Sequence, residues 1–159
     1  MSRTAVVITV SDRSASGQRE DAAGPVAVAA LRDAGYACGD AVTVPDGADA
    51  VEQALRDALG RGAHLIVTTG GTGVGPRDRT PEGTARVLER DVPGIAEELR
   101  RRGATEKATA LLSRGLAGVA SGALIVNLPG SPRAVASGMP LIVEVAAHTI
   151  GQLAGEDHA

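Results

Sequence analysis

Aromatic side chains are nearly absent from this chain of 159 residues, which has one tyrosine, no phenylalanine and no tryptophan. A core must therefore be built from alanine, valine, leucine and isoleucine, which suits helices packed on a parallel sheet with aliphatic strands. The same lack argues against binding of single-stranded nucleic acid, because that binding relies on bases stacking on aromatic rings. The net charge of −3 provides no overall basic surface for DNA or RNA. We expect no nucleic-acid partner.

Cysteine, clustered histidine and long apolar runs are also scarce. The single cysteine, Cys38, excludes an internal disulfide and a cysteine-rich zinc site. His64, His148 and His158 lie far apart in the sequence and lack the spacing of metal ligands. No run approaches the roughly 18 consecutive apolar residues of a membrane span, and the apolar run 5–10 is too short for a signal-peptide core. We therefore expect a cytoplasmic protein without membrane contact.

The length predicts a single domain over residues 1–159, with a polar tail from about residue 155. Segments with strand and helix patterns alternate along it, and residues 111–119 are ambiguous. We predict strands over 4–10, 36–44 with an interruption at Gly39, 63–69 and 123–128. We predict helices over 21–34, 49–59, from Thr80 as N-cap to about Arg90, 93–103, from Ser131 or Pro132, and over 140–153. This alternation predicts an α/β fold, a three-layer α/β/α sandwich around a mainly parallel sheet.

Four predicted strands end in polar or glycine-rich segments. In open α/β sheets, ligands bind beyond the carboxyl ends of the strands. We therefore expect these segments to meet in one site: Ser11–Asp12, Pro45–Asp46, Gly70–Gly75 with Asp78, and Asn127 with the turn Pro129–Pro132.

The segment Gly70–Gly71–Thr72–Gly73 follows a strand and shortly precedes a helix. Glycines let a backbone approach a phosphate closely and turn its N–H groups toward it, although a plain tight turn has the same composition. No Gly-Lys-Ser/Thr follows, so the segment is not a P-loop. Pro76 stands where the third glycine of the dinucleotide-binding fingerprint would be.

Asp46 and Asp78 each follow a predicted strand, and two carboxylates at one sheet edge can hold Mg²⁺ while substrate phosphates complete its shell. The alternatives are a turn-capping residue for Asp46 and a surface residue between two arginines for Asp78. The arginine of Ser113–Arg114 either grips a phosphate with two hydrogen bonds or belongs to a solvated surface pair. Pro129–Pro132 is either a ligand-facing loop or a strand-to-helix turn.

Several short strings in this chain occur together and in a characteristic order. They are Ser11–Asp12, Val44–Pro45–Asp46, Thr69–Gly70–Gly71–Thr72–Gly73, Arg77–Asp78, Thr80–Pro81–Glu82, Leu112–Ser113–Arg114 and Asn127–Leu128–Pro129–Gly130–Ser131–Pro132. In these strings, over roughly residues 5–153, the chain resembles molybdopterin adenylyltransferases and the G domains of plant and animal cofactor-synthesis proteins. The resemblance implies the molybdenum cofactor biosynthesis fold. It also implies that molybdopterin as substrate and ATP as co-substrate, with Mg²⁺, give adenylylated molybdopterin and pyrophosphate.

The resemblance also implies roles for individual residues. Asp46 and Asp78 would be catalytic and hold Mg²⁺. The nucleotide would be bound by Gly70, Gly71, Thr72 and Gly73. Molybdopterin would be bound by Ser113, Arg114, Asn127, Pro129, Gly130 and Ser131. Arg79, Gly103 and Ala108 depart from the family pattern, and they bear on the pterin pocket rather than on the fold.

The family further suggests a homo-oligomer, a trimer or a hexamer, and a downstream molybdate-insertion protein as partner. The apolar residues Ile142, Val143, Val145, Ala146 and Ile150 favour either a subunit contact or a fully buried helix. An alternative function within the same family is a molybdopterin-binding paralogue without catalysis. Retention of Asp46 and Asp78 favours the enzyme.

Overall fold

The computed structural model describes residues 2–156; Met1 and residues 157–159 of the predicted polar tail, with His158, lie outside the described residues. Seven strands form one sheet: β1 (Thr4–Val10), β2 (Ala37–Cys38), β3 (Val42–Val44), β4 (Leu65–Thr69), β5 (Arg90–Asp91), β6 (Ala117–Ala120) and β7 (Ala123–Leu128). Their order is β2-β1-β4-β7-β6-β5, and β3 also pairs with β1. β1 pairs in parallel with β2, β3 and β4, and β4 pairs in parallel with β7, whereas β6 pairs antiparallel with both β7 and β5.

Helices cover both faces of the sheet. They are α1 (Asp12–Ala15), α2 (Ala23–Asp33), α3 (Ala48–Gly60), α4 (Thr80–Ala85), α5 (Pro93–Glu106) and α6 (Pro132–Leu153), with a 3₁₀ helix over Ala108–Leu112. Side chains alternate across β1, so Val7 packs with α2, α5 and α6 on one face while Ile8 packs with α3 on the other. The predicted three-layer sandwich is confirmed.

Some predicted boundaries were wrong where tertiary pairing overrides local pattern. The predicted strand 36–44 is two short strands, β2 and β3, separated around Gly39. The helix expected to reach Arg90 ends at Ala85, because the backbone that follows pairs with β6. Thr80 is the first residue of α4 rather than its cap, and its hydroxyl donates to the carbonyl of Gly70 at 2.9 Å.

The two helical regions expected after Ser131 are one continuous helix, α6, which contains Pro140 on its exposed side. Ile142, Ala146 and Ile150 are buried against the sheet, and Val143 and Val145 are partly buried there. Packing within one chain therefore accounts for the apolar character of this helix. Among residues 2–156, α6 is the one helix whose length and composition would suffice to cross a membrane, but it packs as a core helix of this domain.

Candidate functional site

A cavity of about 910 Å³ opens at the carboxyl edge of the parallel strands. The structure brings the four predicted segments together there: Ser11 after β1, Asp46 after β3, Gly70–Gly73 with Asp78 after β4, and Asn127–Ser131 at the end of β7. A further wall comes from α5 and the 3₁₀ helix, with Arg100, Gly103, Lys107 and Leu112 among its residues. Sequence analysis connected Gly103 and the string Leu112–Ser113–Arg114 with this wall through the family resemblance, but it did not predict Arg100 or Lys107 there.

Asp46 is fixed by a reciprocal pair of hydrogen bonds with Asp12. The backbone N–H of Asp12 donates to Oδ2 of Asp46, and the N–H of Asp46 donates to Oδ1 of Asp12, each at 3.0 Å. Burial raises the pKa of Asp46 above its ordinary value, and the negative charges of Asp12 and Asp78 add to this effect. The hydrogen bond from Asp12 thus commits one carboxylate oxygen of Asp46 to the fold.

Arg77 connects three of the loops. Its guanidinium donates to both carboxylate oxygens of Asp12 at 3.0 Å and to the backbone carbonyl of Asp46 at 3.2 Å. These hydrogen bonds hold the pKa of Asp12 below its ordinary value. Sequence reasoning singled out the Arg77–Asp78 string but missed this contact, because the pairing of Arg77 with Asp12 exists only in three dimensions.

Gly70 and Gly71 adopt backbone conformations that side chains rarely take, with φ values of +95° and +67°. A Cβ atom on Gly70 would lie 2.3 Å from the carbonyl oxygen of Val10, and one on Gly71 would lie 2.3 Å from the hydroxyl of Thr80. Among the described residues, the N–H groups of Gly71, Thr72 and Gly73 donate to no protein acceptor. The segment is thus a crowded turn that presents backbone donors, which is the arrangement expected of an anion site.

The two carboxylates approach this segment at two points. A Cβ on Gly71 would lie 3.1 Å from Oδ1 of Asp46, and one on Gly73 would lie 2.9 Å from Oδ2 of Asp78. Oδ2 of Asp78 accepts from the N–H of Gly75 at 2.9 Å. Residues 2–156 hold no group of three or more histidine, cysteine, aspartate or glutamate side chains placed for a metal ion. Two carboxylates suit Mg²⁺ when substrate phosphates supply further ligands.

Comparison with known proteins identifies the family. The profile of the probable molybdopterin binding domain matches residues 6–148. The chain belongs to this molybdopterin-binding family. The resemblance predicted from the sequence is confirmed.

Named relatives of this family match most of the chain. A molybdenum cofactor biosynthesis bifunctional protein of Synechococcus elongatus is 42% identical over 154 residues, which are 97% of this chain and 48% of that protein. A molybdopterin adenylyltransferase of Haemophilus influenzae is 37% identical over 132 residues, which are 81% of this chain and 67% of that protein. This chain thus spans about half the length of the first of these curated relatives.

A solved structure shares the whole fold. The molybdopterin biosynthesis Mog protein from Mycobacterium ulcerans superposes with a TM-score of 0.92 at 42% identity, and the match covers 98% of this chain and 99% of that one. The agreement includes the sheet edge where the cavity opens, since nearly all of both chains is matched.

Arg114, expected from the family resemblance to touch molybdopterin, is not among the residues that line the cavity. Its guanidinium donates to the carbonyls of Gly73 at 2.8 Å and Asp78 at 2.9 Å, and to the carboxylate of Glu82 at 2.6 Å. This ion pair holds the pKa of Glu82 below its ordinary value. In this structure Arg114 therefore braces the loop that carries Asp78 against α4.

Asn127 lines the cavity, yet its side chain is buried and fully engaged. Its amide donates to the hydroxyls of Thr68 at 2.9 Å and Thr84 at 3.0 Å, and its oxygen accepts from the N–H of Leu116 at 3.0 Å. The hydroxyl of Ser113 makes only long contacts, the shorter of them 3.3 Å to the hydroxyl of Thr72. Of these two predicted molybdopterin contacts, Ser113 is the one whose side chain is available to a ligand.

The turn Pro129–Gly130–Ser131 lies directly against the glycine segment. A Cβ on Gly130 would lie 3.2 Å from Cα of Gly70. Ser131 caps α6, because its hydroxyl accepts from the N–H of Ala134 at 3.0 Å. The turn is therefore both a strand-to-helix connection and a wall of the cavity.

Proposed function

We propose that this protein acts in molybdenum cofactor biosynthesis as a molybdopterin adenylyltransferase. The observation that carries the proposal is the pair Asp46 and Asp78 approaching the Gly70–Gly73 segment inside one cavity of about 910 Å³. The chain's match to a protein named molybdopterin adenylyltransferase over 81% of its residues supports it.

In the proposed reaction, a phosphate oxygen of molybdopterin attacks the α-phosphorus of ATP. A phosphorus–oxygen bond forms there, and the bond to the departing pyrophosphate breaks. Such transfers depend on positioning and on neutralisation of phosphate charge, so no covalent nucleophile from the protein is required. The lone cysteine of the chain has no part in this scheme.

The chain's own residues would serve this reaction in three ways. The unpaired N–H groups of Gly71, Thr72 and Gly73 would bind nucleotide phosphates. Asp46 and Asp78 each keep one oxygen without a protein donor among the described residues, and these oxygens would hold Mg²⁺. When bound, Mg²⁺ neutralises charge on the phosphates.

Molybdopterin would contact Ser113 and the wall Pro129–Ser131. Arg114 and Asn127 would support the site from behind, because their polar atoms already have protein partners. This divides the six residues predicted to contact molybdopterin into direct contacts and positioning residues.

The decisive experiment measures pyrophosphate released from ATP and Mg²⁺ when molybdopterin is added, together with the adenylylated product. We expect release to depend on molybdopterin and to disappear in the double variant Asp46→Asn, Asp78→Asn. A protein that binds molybdopterin but releases no pyrophosphate would instead be a non-catalytic carrier of the same family, and the adenylyltransferase proposal would be wrong.

We further propose that the protein is a cytoplasmic homo-oligomer, a trimer or a hexamer, that transfers its product to a molybdate-insertion protein. The family resemblance supports this proposal, whereas the apolar side of α6 no longer does because it packs on the sheet. Sedimentation at micromolar concentration tests the assembly, and a mass equal to one chain would contradict it.

A further inference from the structure

Two threonines occupy equivalent positions at the carboxyl ends of neighbouring strands. Thr9 in β1 and Thr69 in β4 are register partners on the sheet face that α2 and α6 cover. Both line the cavity and both are buried, with 4% and 1% of their surface exposed. Their environments differ in one respect, which is the partner of the hydroxyl group.

The hydroxyl of Thr9 donates to Oδ2 of Asp21 at 2.6 Å. Oγ1 of Thr69 has no hydrogen-bond partner, and it is the one buried side-chain polar atom of residues 2–156 in that state. Buried polar atoms in folded proteins are nearly always paired, since an unpaired one loses its hydrogen bond to water and gains none in return. Thr69 lines the cavity, so a ligand bound there is the partner that the protein itself does not supply.

The groups around Thr69 define the chemistry of that ligand. The next three peptide units after Gly70 offer unpaired N–H donors, and the capped N-terminus of α6 begins at the turn that lies against Gly70. Helix N-termini and unpaired backbone donors favour anions. Asp21, Asp46 and Asp78 also line the cavity, but the donors beside Thr69 need an acceptor-rich ligand, and a phosphate provides several oxygens on one centre.

We infer that Thr69 is a ligand-binding residue whose hydroxyl donates to a phosphate oxygen of the bound nucleotide. The inference rests on the proposed nucleotide site but not on catalysis, because binding of a phosphate requires no transfer. Thr69 directly precedes Gly70, so its hydroxyl and the backbone donors after Gly70 would bind the same group.

The test compares Thr69→Val, which removes the hydroxyl at nearly constant shape, with Thr69→Ser, which keeps it. Calorimetric titration with ATP, AMP and inorganic pyrophosphate in the presence of Mg²⁺ gives the affinities, and adenosine serves as the phosphate-free control. We expect Thr69→Val to weaken the binding of at least one phosphate compound about tenfold, the usual scale for one hydrogen bond. Thr69→Ser should bind all of them as the wild type does. A loss of affinity confined to ATP and pyrophosphate would assign the contact to the departing phosphates. A loss of affinity for AMP would assign it to the α-phosphate.

Thermal unfolding provides the second readout, with Thr9→Val as the matched variant. Thr69→Val should melt no lower than the wild type, because it removes an unpaired buried group. Thr9→Val should melt lower, because Oδ2 of Asp21 loses its donor and only Oδ1 keeps one, the N–H of Gly24. Three results with Thr69→Val would each overturn the inference. They are an unchanged affinity for every phosphate compound, an equal loss of affinity for adenosine, and a melting temperature lowered as far as in Thr9→Val. A wild type that binds no phosphate compound would also overturn it, whereas binding without pyrophosphate release would contradict only the proposed catalysis.

Discussion

Asp12 and Asp46 each donate a backbone N–H to the other's carboxylate, at 3.0 Å in both directions. The pair joins the loop after β1 to the loop after β3 and orients the Asp46 side chain toward the glycine segment. Asp46 thus has one oxygen committed to the fold and one available to a ligand. The pKa values of the two carboxyl groups shift in opposite directions, because Arg77 lowers the pKa of Asp12 while burial raises that of Asp46.

The raised pKa of Asp46 predicts a small stabilising effect of Asp46→Asn. The ionised form is less favourable in the folded state than in the unfolded one, so wild-type stability decreases as pH rises through the ordinary aspartate pKa of about 4 toward the higher folded-state value. The asparagine variant lacks this charge and can still accept from the N–H of Asp12. Denaturant unfolding should show the variant as stable as the wild type near pH 3 and more stable at pH 7. A variant less stable than the wild type at pH 7 would contradict the raised pKa of Asp46.

Removal of either carboxylate charge should abolish most activity while preserving the fold. We expect Asp46→Asn or Asp78→Asn to slow pyrophosphate release at least about 100-fold, the scale for loss of one electrostatic catalytic element. For Asp78→Asn, the free energy of unfolding should change by less than about 0.5 kcal/mol, because the asparagine oxygen can still accept from the N–H of Gly75. Molybdopterin binding, measured by fluorescence titration, should persist in both. Near-normal turnover by a folded Asp78→Asn protein would remove the role proposed for that residue.

Asn127 and Ser113 should respond oppositely to truncation. Asn127→Ala leaves the N–H of Leu116 and the hydroxyls of Thr68 and Thr84 without their partner, so we expect a loss of about 2–5 kcal/mol in unfolding free energy. Ser113→Ala should cost less than about 1 kcal/mol because its hydrogen bonds are long. Chemical denaturation measures both. Equal stability of the two variants would show that the Asn127 side chain is not a structural support.

Gly71→Ala should disturb both the fold and the site. Its φ of +67° is unfavourable for alanine, and the added methyl group would lie 2.3 Å from the Thr80 hydroxyl. We expect a loss of about 2 kcal/mol or more in unfolding free energy. Gly39→Ala is the control, because nothing lies within 4 Å of a Cβ there and its φ is not left-handed. Similar melting temperatures for both variants would contradict the crowding described at Gly71.

Sequence patterns predicted the central strands best. Strands β1 and β7 were predicted at their observed bounds, because largely buried central strands leave an aliphatic run that flanking turn residues delimit. Prediction failed at β5 and β6, where the small residues of 117–120 carry no distinct pattern and strand formation depends on an antiparallel partner. The internal Pro140 likewise suggested a break in a helix that tertiary packing keeps continuous.

The sequence by itself determined the layered fold, the family and the set of strand-end segments that meet at one edge, since local periodicity and motif order are properties of the chain alone. Tertiary structure decided which side chains in those segments are free. Arg114 and Asn127 look like ligand contacts in the sequence, but partners distant in the chain occupy their polar atoms. Thr69 was predicted to end a strand and begins one of the family strings without a role of its own, but its hydroxyl is left unpaired. The physical reason is that a hydrogen-bonding group has limited capacity, and only the folded arrangement determines which atoms use it.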